Sequence, residues 1–584
     1  MARSQSTNLN AERVALNRKV NGLAVYPRRI EHPALWSSAP TSPGPSRTRD
    51  RAVRRLVHSS AQHQGAPGFL ILHGSLLPAG WESFLAGLGV ALVVIEDLVL
   101  PGARPDACAQ VFGRQPPPPD VHFLLLNPRD AQGAVLDEMD CFERWAGCHG
   151  NLHWAWGESR ADCLAALRKT WRTVQHRRAG HPAALPRTML GADWLGVKET
   201  LNLRQVVRRK TLFRHYGIDH PRSSEDLENL LRRRSGAPFA VAVSSGSAAL
   251  NCAIAALGAQ PGDEVIVPAF SWFSCYNAIL HFGLTPVFAE IDATLNLDPA
   301  DFARRITPRT KAVIVVHYQG GPARLGDILR TARRHGLRVI EDCAQALGSR
   351  YEGQPLGTLG DIGILSFQAN KIISSGEGGA LLCQDQVLFE RAVRYHDLGI
   401  IRPVFLKQTQ GTALTAPFPG NQYRMSEITA TVALVQLTRL PWLIRRCRRH
   451  TQRLRALLGR ACPRLGFRPT GDAAGDSQIT LFIDWGERAR AAAATAMLLA
   501  DGIQVGPSSG MTNLLEADYV RSRSCIHGVK TPDWPPAPPA PADFPATQEW
   551  LQRYTPLAMG PRFIDTDVDR IGASVIQAYR KVSW

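Results

Sequence analysis

The sequence predicts an α/β protein with three folded parts. These are a small α/β module near the N-terminus, a large domain of mixed, mostly parallel sheet, and a smaller C-terminal α/β domain. From about residue 190 onward, short apolar runs alternate with helical stretches, which is typical of a sheet covered by helices on both faces. Earlier in the chain, three apolar runs are bounded by turn residues. The chain has 584 residues, too many for one hydrophobic core.

Composition and pattern divide the chain into predicted segments. Residues 1–65 are polar and basic, and stretches such as SSAPTSPGPSRTR have too little apolar surface to fold, so we expect a disordered tail. Residues 66–180 form the small module, with strand-like runs GFLILHGS, ALVVIEDL and VHFLLLN and no motif that assigns it a role. A linker over 181–194 leads to the large domain, residues 190–430, and then to the small domain, residues 431–584.

The large domain is predicted from seven apolar runs separated by turns and helices. The runs are FAVAV, DEVIVPA, TPVFAEI, KAVIVVH, LRVIEDC, IGILSFQ and GALLCQ. Stretches such as SAALNCAIAAL and ILRTARRHG predict the helices between them. In the C-terminal part, ATVALVQLTRL predicts an amphipathic helix and the Pro-rich DWPPAPPAPADFP predicts a loop.

A net charge of +18 raises the question of nucleic-acid binding. Much of the excess lies in the first 60 residues and in the short stretches Arg208–Lys210, Arg232–Arg234 and Arg445–Arg449. Solvated helix faces account for such a distribution, so we predict no specific nucleic-acid partner.

The chain lacks the apolar segments that direct a protein to membranes or to secretion. No stretch approaches about 18 consecutive apolar residues, and MARSQSTNLNAERVALNRKV does not resemble a signal peptide. We therefore expect a cytoplasmic protein that does not bind membranes. Its eleven cysteines are irregularly spaced and are expected to be reduced thiols.

One group of potential metal ligands lies in the N-terminal module. Cys141, Cys148, His149 and His153 have the spacing C-x6-C-H-x3-H, which is not a usual zinc pattern. The same stretch is equally typical of a helix followed by a loop. We predict no metal site.

Two motifs follow predicted strands and could contact a ligand. In SSGSAAL (244–250), Gly246 allows a tight turn and a helix opens at Ser247 and Ala248. The free N–H groups of a helix start favour an anion, although an ordinary N-cap gives the same pattern. In PAFSWFSCYNAIL, Trp272 and Phe273 lie just past a strand end, where an aromatic ring either stacks on a planar ligand or packs in the core.

Two further motifs supply charged groups. In VIEDCAQALGS, Asp342 is placed to pair with a protonated ring nitrogen, whereas Glu341 points to the opposite side of the strand. In SFQANKIISSGEGGALL, a strand ends at Ser366 and Lys371 follows among small and apolar residues. Most loop lysines are solvated, but a poorly solvated lysine has a lowered pKa and serves as nucleophile and base.

Together, an anion site, an aromatic platform, an acid and a lysine are the components of a pyridoxal-5′-phosphate (PLP) site. The acid keeps the pyridine ring protonated, so that the ring accepts electrons from the substrate carbon. We therefore predict a PLP enzyme in which Lys371 and Asp342 are the catalytic residues.

At this point the sequence resembles the DegT–StrS family of PLP aminotransferases, which have the aspartate aminotransferase fold. The resemblance extends from about Trp194 to Trp584 and rests on many ordered blocks. These blocks are SSGSAALNCAIAALGAQPGDEVIVPAFSW, PVFAEID, ITPRTKAVIVVH, VIEDCAQALGS, GDIGILSFQANKIISSGEGGALL and GNQYRMSEITATVALVQL.

The resemblance implies a role for individual residues. Lys371 would form the Schiff base, Asp342 would contact the pyridine nitrogen, and Gln345 would lie near the ring hydroxyl. Trp272 would stack on the ring. The phosphate would be bound by Gly246, Ser247, Ala248 and Ser366. Asn421, in GNQYRMSE, resembles a residue that reaches the phosphate of the partner subunit, which implies a homodimer with shared active sites.

The sequence departs from the family pattern in several places. Trp-Phe-Ser-Cys follows Ser271 where Phe-x-Ala-Thr is common, so Phe273 remains an alternative stacking residue. Gln368 stands where many members have histidine. The first 190 or so residues have no counterpart in the family, and the Pro-rich loop near 533–545 replaces a more usual stretch, which leaves the substrate unassigned.

The resemblance implies that an amino group moves from glutamate or glutamine to a keto-sugar, keto-cyclitol or related biosynthetic intermediate. Such chemistry belongs to secondary-metabolite or polysaccharide biosynthesis. Lys371 would be displaced from the cofactor and then act as the general base. Two alternatives remain: a PLP-dependent dehydratase or lyase on the same fold, and a non-catalytic PLP-binding regulatory protein.

Overall fold

The computed structural model describes in full Leu185 and residues 189–216, 222–409, 411, 413–505, 513–522 and 540–582, and it describes the backbone of six strands between residues 68 and 155. The chain divides into two compact units. The first comprises Met1–Ala183 with Gly196–Lys198, and the second comprises Ala184–Leu195 with Glu199–Trp584. The expected disordered tail, residues 1–65, lies outside the described residues.

The N-terminal unit contains a parallel four-stranded sheet of order β2-β1-β4-β6 and a separate β3-β5 pair. Its strands are β1 (Gly68–His73), β2 (Ala91–Glu96), β3 (Val99–Leu100), β4 (Val121–Leu126), β5 (Arg129–Asp130) and β6 (Leu152–Ala155). The three apolar runs of the sequence form β1, β2 and β4. His153 lies in β6, while Cys141, Cys148 and His149 and the helices expected there lie outside the described residues.

The second unit contains twelve of the strands in the described residues. They are β7 (Phe239–Val243), β8 (Glu264–Pro268), β9 (Thr285–Ala289), β10 (Thr310–Val316), β11 (Arg338–Asp342), β12 (Arg350–Tyr351), β13 (Gln354–Pro355), β14 (Ile362–Ser366), β15 (Gly379–Cys383), β16 (Gly466–Phe467), β17 (Thr480–Asp484) and β18 (Tyr554–Ala558).

The α-helices that lie wholly or mainly in the second unit follow the same alternation. They are α1 (Val197–Arg209), α2 (Ser223–Ser235), α3 (Gly246–Leu257), α4 (Phe273–His281), α5 (Pro299–Arg304), α6 (Leu325–Arg334), α7 (Gln386–His396), α8 (Pro403–Leu406), α9 (Glu427–Ala461), α10 (Arg488–Ala500), α11 (Asp518–Arg521), α12 (Pro545–Arg553) and α13 (Asp565–Lys581).

A seven-stranded sheet of order β7-β15-β14-β11-β10-β8-β9 organises the large domain. β15 is antiparallel to both of its neighbours, and the other pairs are parallel. The strands are almost wholly buried, which explains their continuous apolar runs, because helices cover both faces of such a sheet. The mixed, mostly parallel sheet predicted from the sequence is confirmed.

The small domain is built on an antiparallel sheet of order β16-β17-β18, and α10 and α13 contribute to its core. The helix predicted from ATVALVQLTRL is part of the 35-residue α9, which packs on α2 in the large domain and on α13 in the small one. The predicted boundary between residues 430 and 431 falls near the start of α9 and stays a prediction. In the Pro-rich segment, residues 523–539 lie outside the described residues, and Pro541–Asp543 form a 3-10 helix.

Helix α9 continues through a proline. Pro441 has no N–H to donate to the carbonyl of Leu437, four residues earlier. The guanidinium of Arg234, at the end of α2, donates to that carbonyl instead. A side chain from a neighbouring helix thus satisfies the acceptor that the proline leaves open.

Within the part of the chain that is described, no helix is both long and apolar enough to cross a bilayer.

Candidate active site

A cavity of about 440 Å³ opens at the carboxyl ends of the parallel strands. This is where open α/β sheets bind ligands. Seven of the residues proposed from the sequence line it together: Gly246, Ser247, Trp272, Asp342, Gln345, Ser366 and Lys371. Sequence positions separated by more than 120 residues therefore meet in one site.

The start of α3 forms one end of the cavity. Ser245 is the N-cap, and its hydroxyl accepts a hydrogen bond from the N–H of Ala248 at 3.0 Å. A Cβ on Gly246 would lie 2.9 Å from the Cβ of Ser366, so glycine is needed for the helix start to approach β14 this closely. The hydroxyls of Ser247 and Ser274 lie 2.6 Å apart and both residues line the cavity. The helix dipole and these hydroxyls favour a phosphate here.

Lys371 lies in the loop between β14 and β15 and is partly buried. Its own N–H donates to the carbonyl of Gln368 at 2.9 Å, and its carbonyl accepts from the N–H of Gly191, also at 2.9 Å. Burial lowers the pKa of the Lys371 ammonium, and the negative charge of Asp342 offsets part of that effect. A lysine with a lowered pKa is neutral more often and is a better nucleophile.

Asp342 is the last residue of β11 and is buried. One carboxylate oxygen accepts from the N–H of Ala344 at 3.0 Å, and the other accepts from the thiol of Cys275 at 3.1 Å. The carboxylate therefore has a fixed orientation at the cavity wall.

The neighbouring Glu341 is fully buried and forms a different set of bonds. It accepts from the backbone N–H groups of Gly357, Leu359 and Gly360 and contacts His317 at 3.2 Å. These bonds hold the pKa of Glu341 below its usual value against the effect of burial. His317, Glu341 and Cys343 form a cluster of potential metal ligands, but the bonds of Glu341 show that it anchors the 357–360 loop.

Gln345 connects the cavity to the small domain. Its side-chain oxygen accepts from the backbone N–H of Gln319 at 3.1 Å. The side-chain oxygen of Gln319 in turn accepts from the hydroxyl of Thr480, in β17, at 3.0 Å. Gln319 has φ 49°, a left-handed conformation that a non-glycine residue seldom adopts. These bonds hold one wall of the cavity in register with the small domain.

The two aromatic candidates lie in different surroundings. Trp272 lines the cavity and is 52% exposed. Phe273 begins α4 and packs against the core beside Tyr519, with ring centroids 5.8 Å apart. Trp272 is thus the one of the pair that lines the cavity.

Two proposed residues lie away from the cavity lining. Ala248 is buried in α3, and its N–H is already used by Ser245. Asn421 is exposed, and its amide donates to the hydroxyl of Tyr395 at 3.0 Å. Within one chain, Asn421 therefore does not contribute to the site.

Several lining residues were not anticipated from the sequence. Those with polar side chains are Ser245, Ser271, Ser274, Tyr318, Gln319, Asn370 and Glu377. Leu190 also lines the cavity, from the segment that the sequence suggested to be a linker. Ser245 belongs to a recognisable N-cap motif, but the positions of Leu190 and Gln319 depend on contacts between distant parts of the chain.

Comparison with known proteins agrees with this geometry. Residues 202–576, more than half of the chain, match a family described as DegT/DnrJ/EryC1/StrS aminotransferases. The chain belongs to the DegT/DnrJ/EryC1/StrS aminotransferase family. This confirms the resemblance noted from the motifs and the prediction of an aminotransferase enzyme.

Individual relatives cover different parts of the chain. GDP-perosamine synthase of Escherichia coli O157:H7 is 37% identical over 214 residues, which are 36% of this chain and 57% of that protein. The chain thus matches little more than half the length of this relative. A structure of 3-amino-5-hydroxybenzoic acid synthase is 25% identical with a TM-score of 0.56, covering 69% of this chain and 99% of that one. A structure of DesI with its TDP-sugar product is 26% identical with a TM-score of 0.56, covering 69% and 96%.

Aminotransferases of the DegT/DnrJ/EryC1/StrS family use PLP, so the predicted cofactor is confirmed. The residues of the cavity fit this cofactor. The partly buried lysine suits the aldehyde carbon of PLP, and the buried carboxylate suits its ring nitrogen. The helix start suits its phosphate.

Proposed function

We propose that this DegT-family chain transfers an amino group from glutamate or glutamine to a keto-sugar, keto-cyclitol or related intermediate. The carrying observation is the placement of Lys371 and Asp342 in one cavity, where burial lowers the pKa of the lysine. When bound, PLP supplies an electron sink for the substrate carbon.

Lys371 is proposed to hold the cofactor and to move the proton. Because its pKa is lowered, a larger fraction of its amine is neutral than in a solvated lysine, and a neutral amine can attack a carbonyl carbon. Once displaced by the amine of a substrate, the same group lies beside the carbon whose proton must move. The backbone of Lys371 forms hydrogen bonds with Gln368 and with Gly191. These bonds restrict the range of positions that its amine can reach.

The other proposed contacts fix the cofactor in the cavity. Asp342 holds a proton at the ring nitrogen, and Gln345 lies near the ring hydroxyl. Trp272 covers the ring, since it is the one of the two candidates, Trp272 and Phe273, that lines the cavity. The phosphate is bound by Gly246, Ser247, Ala248 and Ser366 at the start of α3, where Ala248 contributes through the helix turn that it closes.

A keto-sugar is the favoured acceptor. One similar protein is named GDP-perosamine synthase, and the structure of another, DesI, was determined in the presence of its TDP-sugar product. The similarity to 3-amino-5-hydroxybenzoic acid synthase supports a second candidate, a lyase or aromatising dehydratase on a cyclic substrate. Some dehydratases on this fold lack the lysine that corresponds to Lys371, so the presence of Lys371 argues against a dehydratase of that kind.

We also propose a homodimer with shared sites. Among the described residues that line the cavity, Lys371 is the one lysine or arginine. A glutamate carboxylate and a sugar-linked phosphate need further cationic or polar partners. A second copy of the chain can supply them, and the exposed Asn421 is proposed to reach the phosphate of the partner's cofactor.

The proposed location is the cytoplasm. All six cysteines in the described residues are free thiols, which is the state expected in a reducing compartment.

The test of the transferase activity uses full-length protein reconstituted with PLP. Adding glutamate or glutamine should remove the visible absorption band of the bound cofactor, and adding a nucleotide-linked keto-sugar should restore it. Lys371→Ala should lose the covalent label left by borohydride reduction, whereas the surface variant Lys311→Ala should keep it. A cofactor that binds but is converted by no amino donor would leave the regulatory alternative standing. Release of a dehydrated product would favour the lyase.

The test of the shared site uses mixed subunits. Lys371→Ala and Asn421→Ala chains are each expected to be inactive. Mixing them should restore about a quarter of the native activity, because half of the dimers are mixed and one site in each of those is intact. No recovery, in dimers shown to exchange subunits, would refute the proposed role of Asn421.

A further inference from the structure

A chain of three hydrogen-bonded side chains ends on the carboxylate of Asp342. The hydroxyl of Ser271 donates to the sulfur of Cys275 at 3.1 Å, and the thiol of Cys275 donates to Asp342 at 3.1 Å. The three residues are 1%, 0% and 5% exposed. They connect the turn after β8 with the end of β11, and Ser271 and Asp342 both line the cavity.

The direction of these bonds follows from the chemistry of the groups. A carboxylate only accepts, so the proton between Cys275 and Asp342 belongs to the thiol. Burial and the charge of Asp342 raise the pKa of Cys275 well above its ordinary value, so the thiol keeps this proton. The hydroxyl of Ser271 occupies a lone pair of the sulfur, which leaves the S–H free to point at the carboxylate.

The remaining surroundings of Asp342 are also defined. Its other oxygen accepts from the N–H of Ala344. Lys371 is the charged group that acts on it across the cavity. Glu341 and His317 are engaged with each other on the opposite side of the strand. Of these neighbours, Cys275 is the one whose side chain donates directly to the carboxylate.

We propose that Cys275 is a positioning residue whose thiol sets the orientation and the basicity of the Asp342 carboxylate. A thiol is a weaker donor than a hydroxyl. It therefore fixes the orientation of the carboxylate while neutralising little of its negative charge. A carboxylate left more basic holds a proton on the ring nitrogen of the cofactor more firmly. This inference rests on the role proposed above for Asp342.

The first test needs neither cofactor nor turnover. The S–H stretching band of Cys275, isolated as the Raman difference between native apo-protein and Cys275→Ala, should lie at lower frequency than the band of Cys447 isolated in the same way. Cys447 is a buried thiol in α9 and serves as the matched control. Asp342→Asn should move the Cys275 band to higher frequency, because a neutral amide accepts less strongly. Coincident bands, unmoved by Asp342→Asn, would overturn the proposal and leave the transferase function untouched.

The second test measures the effect on the cofactor. In protein loaded with PLP labelled at the ring nitrogen, the nitrogen-15 shift reports the pH at which the ring proton is lost. Cys275→Ser should lower this midpoint by about one pH unit, since a stronger donor makes the carboxylate less basic. Cys275→Ala should raise it, and Cys447→Ala should leave it in place. Shifts of the same sign in Cys275→Ser and Cys275→Ala, or none, would refute the role. Should Cys275→Ala fail to fold, Cys275→Ser and Asp342→Asn still decide the question.

Discussion

The backbone of Gly191 lies directly against the loop that carries Lys371. A Cβ added to Gly191 would lie 2.5 Å from the Cα of Ile373, 2.6 Å from its carbonyl carbon and 2.7 Å from the nitrogen of Ser374. Ordinary van der Waals contact begins at 3.4 Å. In Gly191→Ala, the two segments must therefore separate by nearly an ångström, and all three clashing atoms are backbone atoms that cannot rotate away.

The magnitude of this perturbation follows from two contributions. Forcing an extra methyl group into a packed site costs about 1–3 kcal/mol. Separation also weakens the hydrogen bond from Gly191 to the carbonyl of Lys371, worth about 0.5–1.5 kcal/mol. Gly191 is outside the left-handed region, so alanine adds no backbone strain of its own. We expect a loss of about 2–4 kcal/mol in the free energy of unfolding.

Thermal melting of the apo-protein measures this loss. For a unit of this size the midpoint should fall by about 2–6 °C. The loop of Lys371 should also be less well held, so bound PLP should dissociate faster from Gly191→Ala than from the native protein. Gly196→Ala is the matched control, because a Cβ there meets no atom within 4 Å.

Equal melting temperatures for Gly191→Ala and Gly196→Ala would refute this reasoning. A lowered melting temperature with an unchanged PLP dissociation rate would refute the connection between Gly191 and the lysine loop alone.

Three other predictions concern the same cavity. Amine-selective labelling of apo-protein should give Lys371 a pKa below its ordinary value of 10.5. Asp342→Asn should lower this pKa further, because it removes the charge that raises it, and a rise in that variant would contradict the assignment. Gly246→Ala should raise the Kd for PLP about tenfold or more in a fluorescence titration, because its Cβ would lie 2.9 Å from Ser366. An unchanged Kd would exclude this helix start as the phosphate site. Glu341→Gln should reduce the free energy of unfolding by about 2–4 kcal/mol in chemical denaturation, because the buried carboxylate accepts three backbone N–H groups. An unchanged stability would show that the glutamine amide can replace the carboxylate.

The strand-and-helix order of the large domain could be predicted because local pattern determines it. Buried parallel strands are continuous apolar runs, and each run in the sequence became a strand of the seven-stranded sheet. Asp342 and Lys371 could be proposed because Asp342 ends such a strand and Lys371 lies in the loop that follows another. Their position in the chain already indicated which edge of the sheet they occupy.

The contacts that sequence pattern missed are made between distant segments. The short stretch containing Leu190 resembled a linker, yet it lies on the lysine loop because Gly191 allows close backbone approach. From the sequence, Cys275 is expected only to be a reduced thiol, and only the folded structure brings that thiol to Asp342. The conformation of Gln319 is likewise stabilised by partners more than 20 residues away.

The proline in α9 has a consequence for how this sequence can change over time. Arg234 supplies the donor that Pro441 lacks, so position 234 is not free to vary while the proline is present. A lineage that lost Arg234 first would leave the carbonyl of Leu437 without this donor, whereas one that first regained an N–H at position 441 would make the arginine dispensable. The order of substitution therefore matters, and relatives without the proline are expected to show relaxed selection at position 234. Positions 234 and 441, which are 207 residues apart in sequence, should therefore covary among relatives.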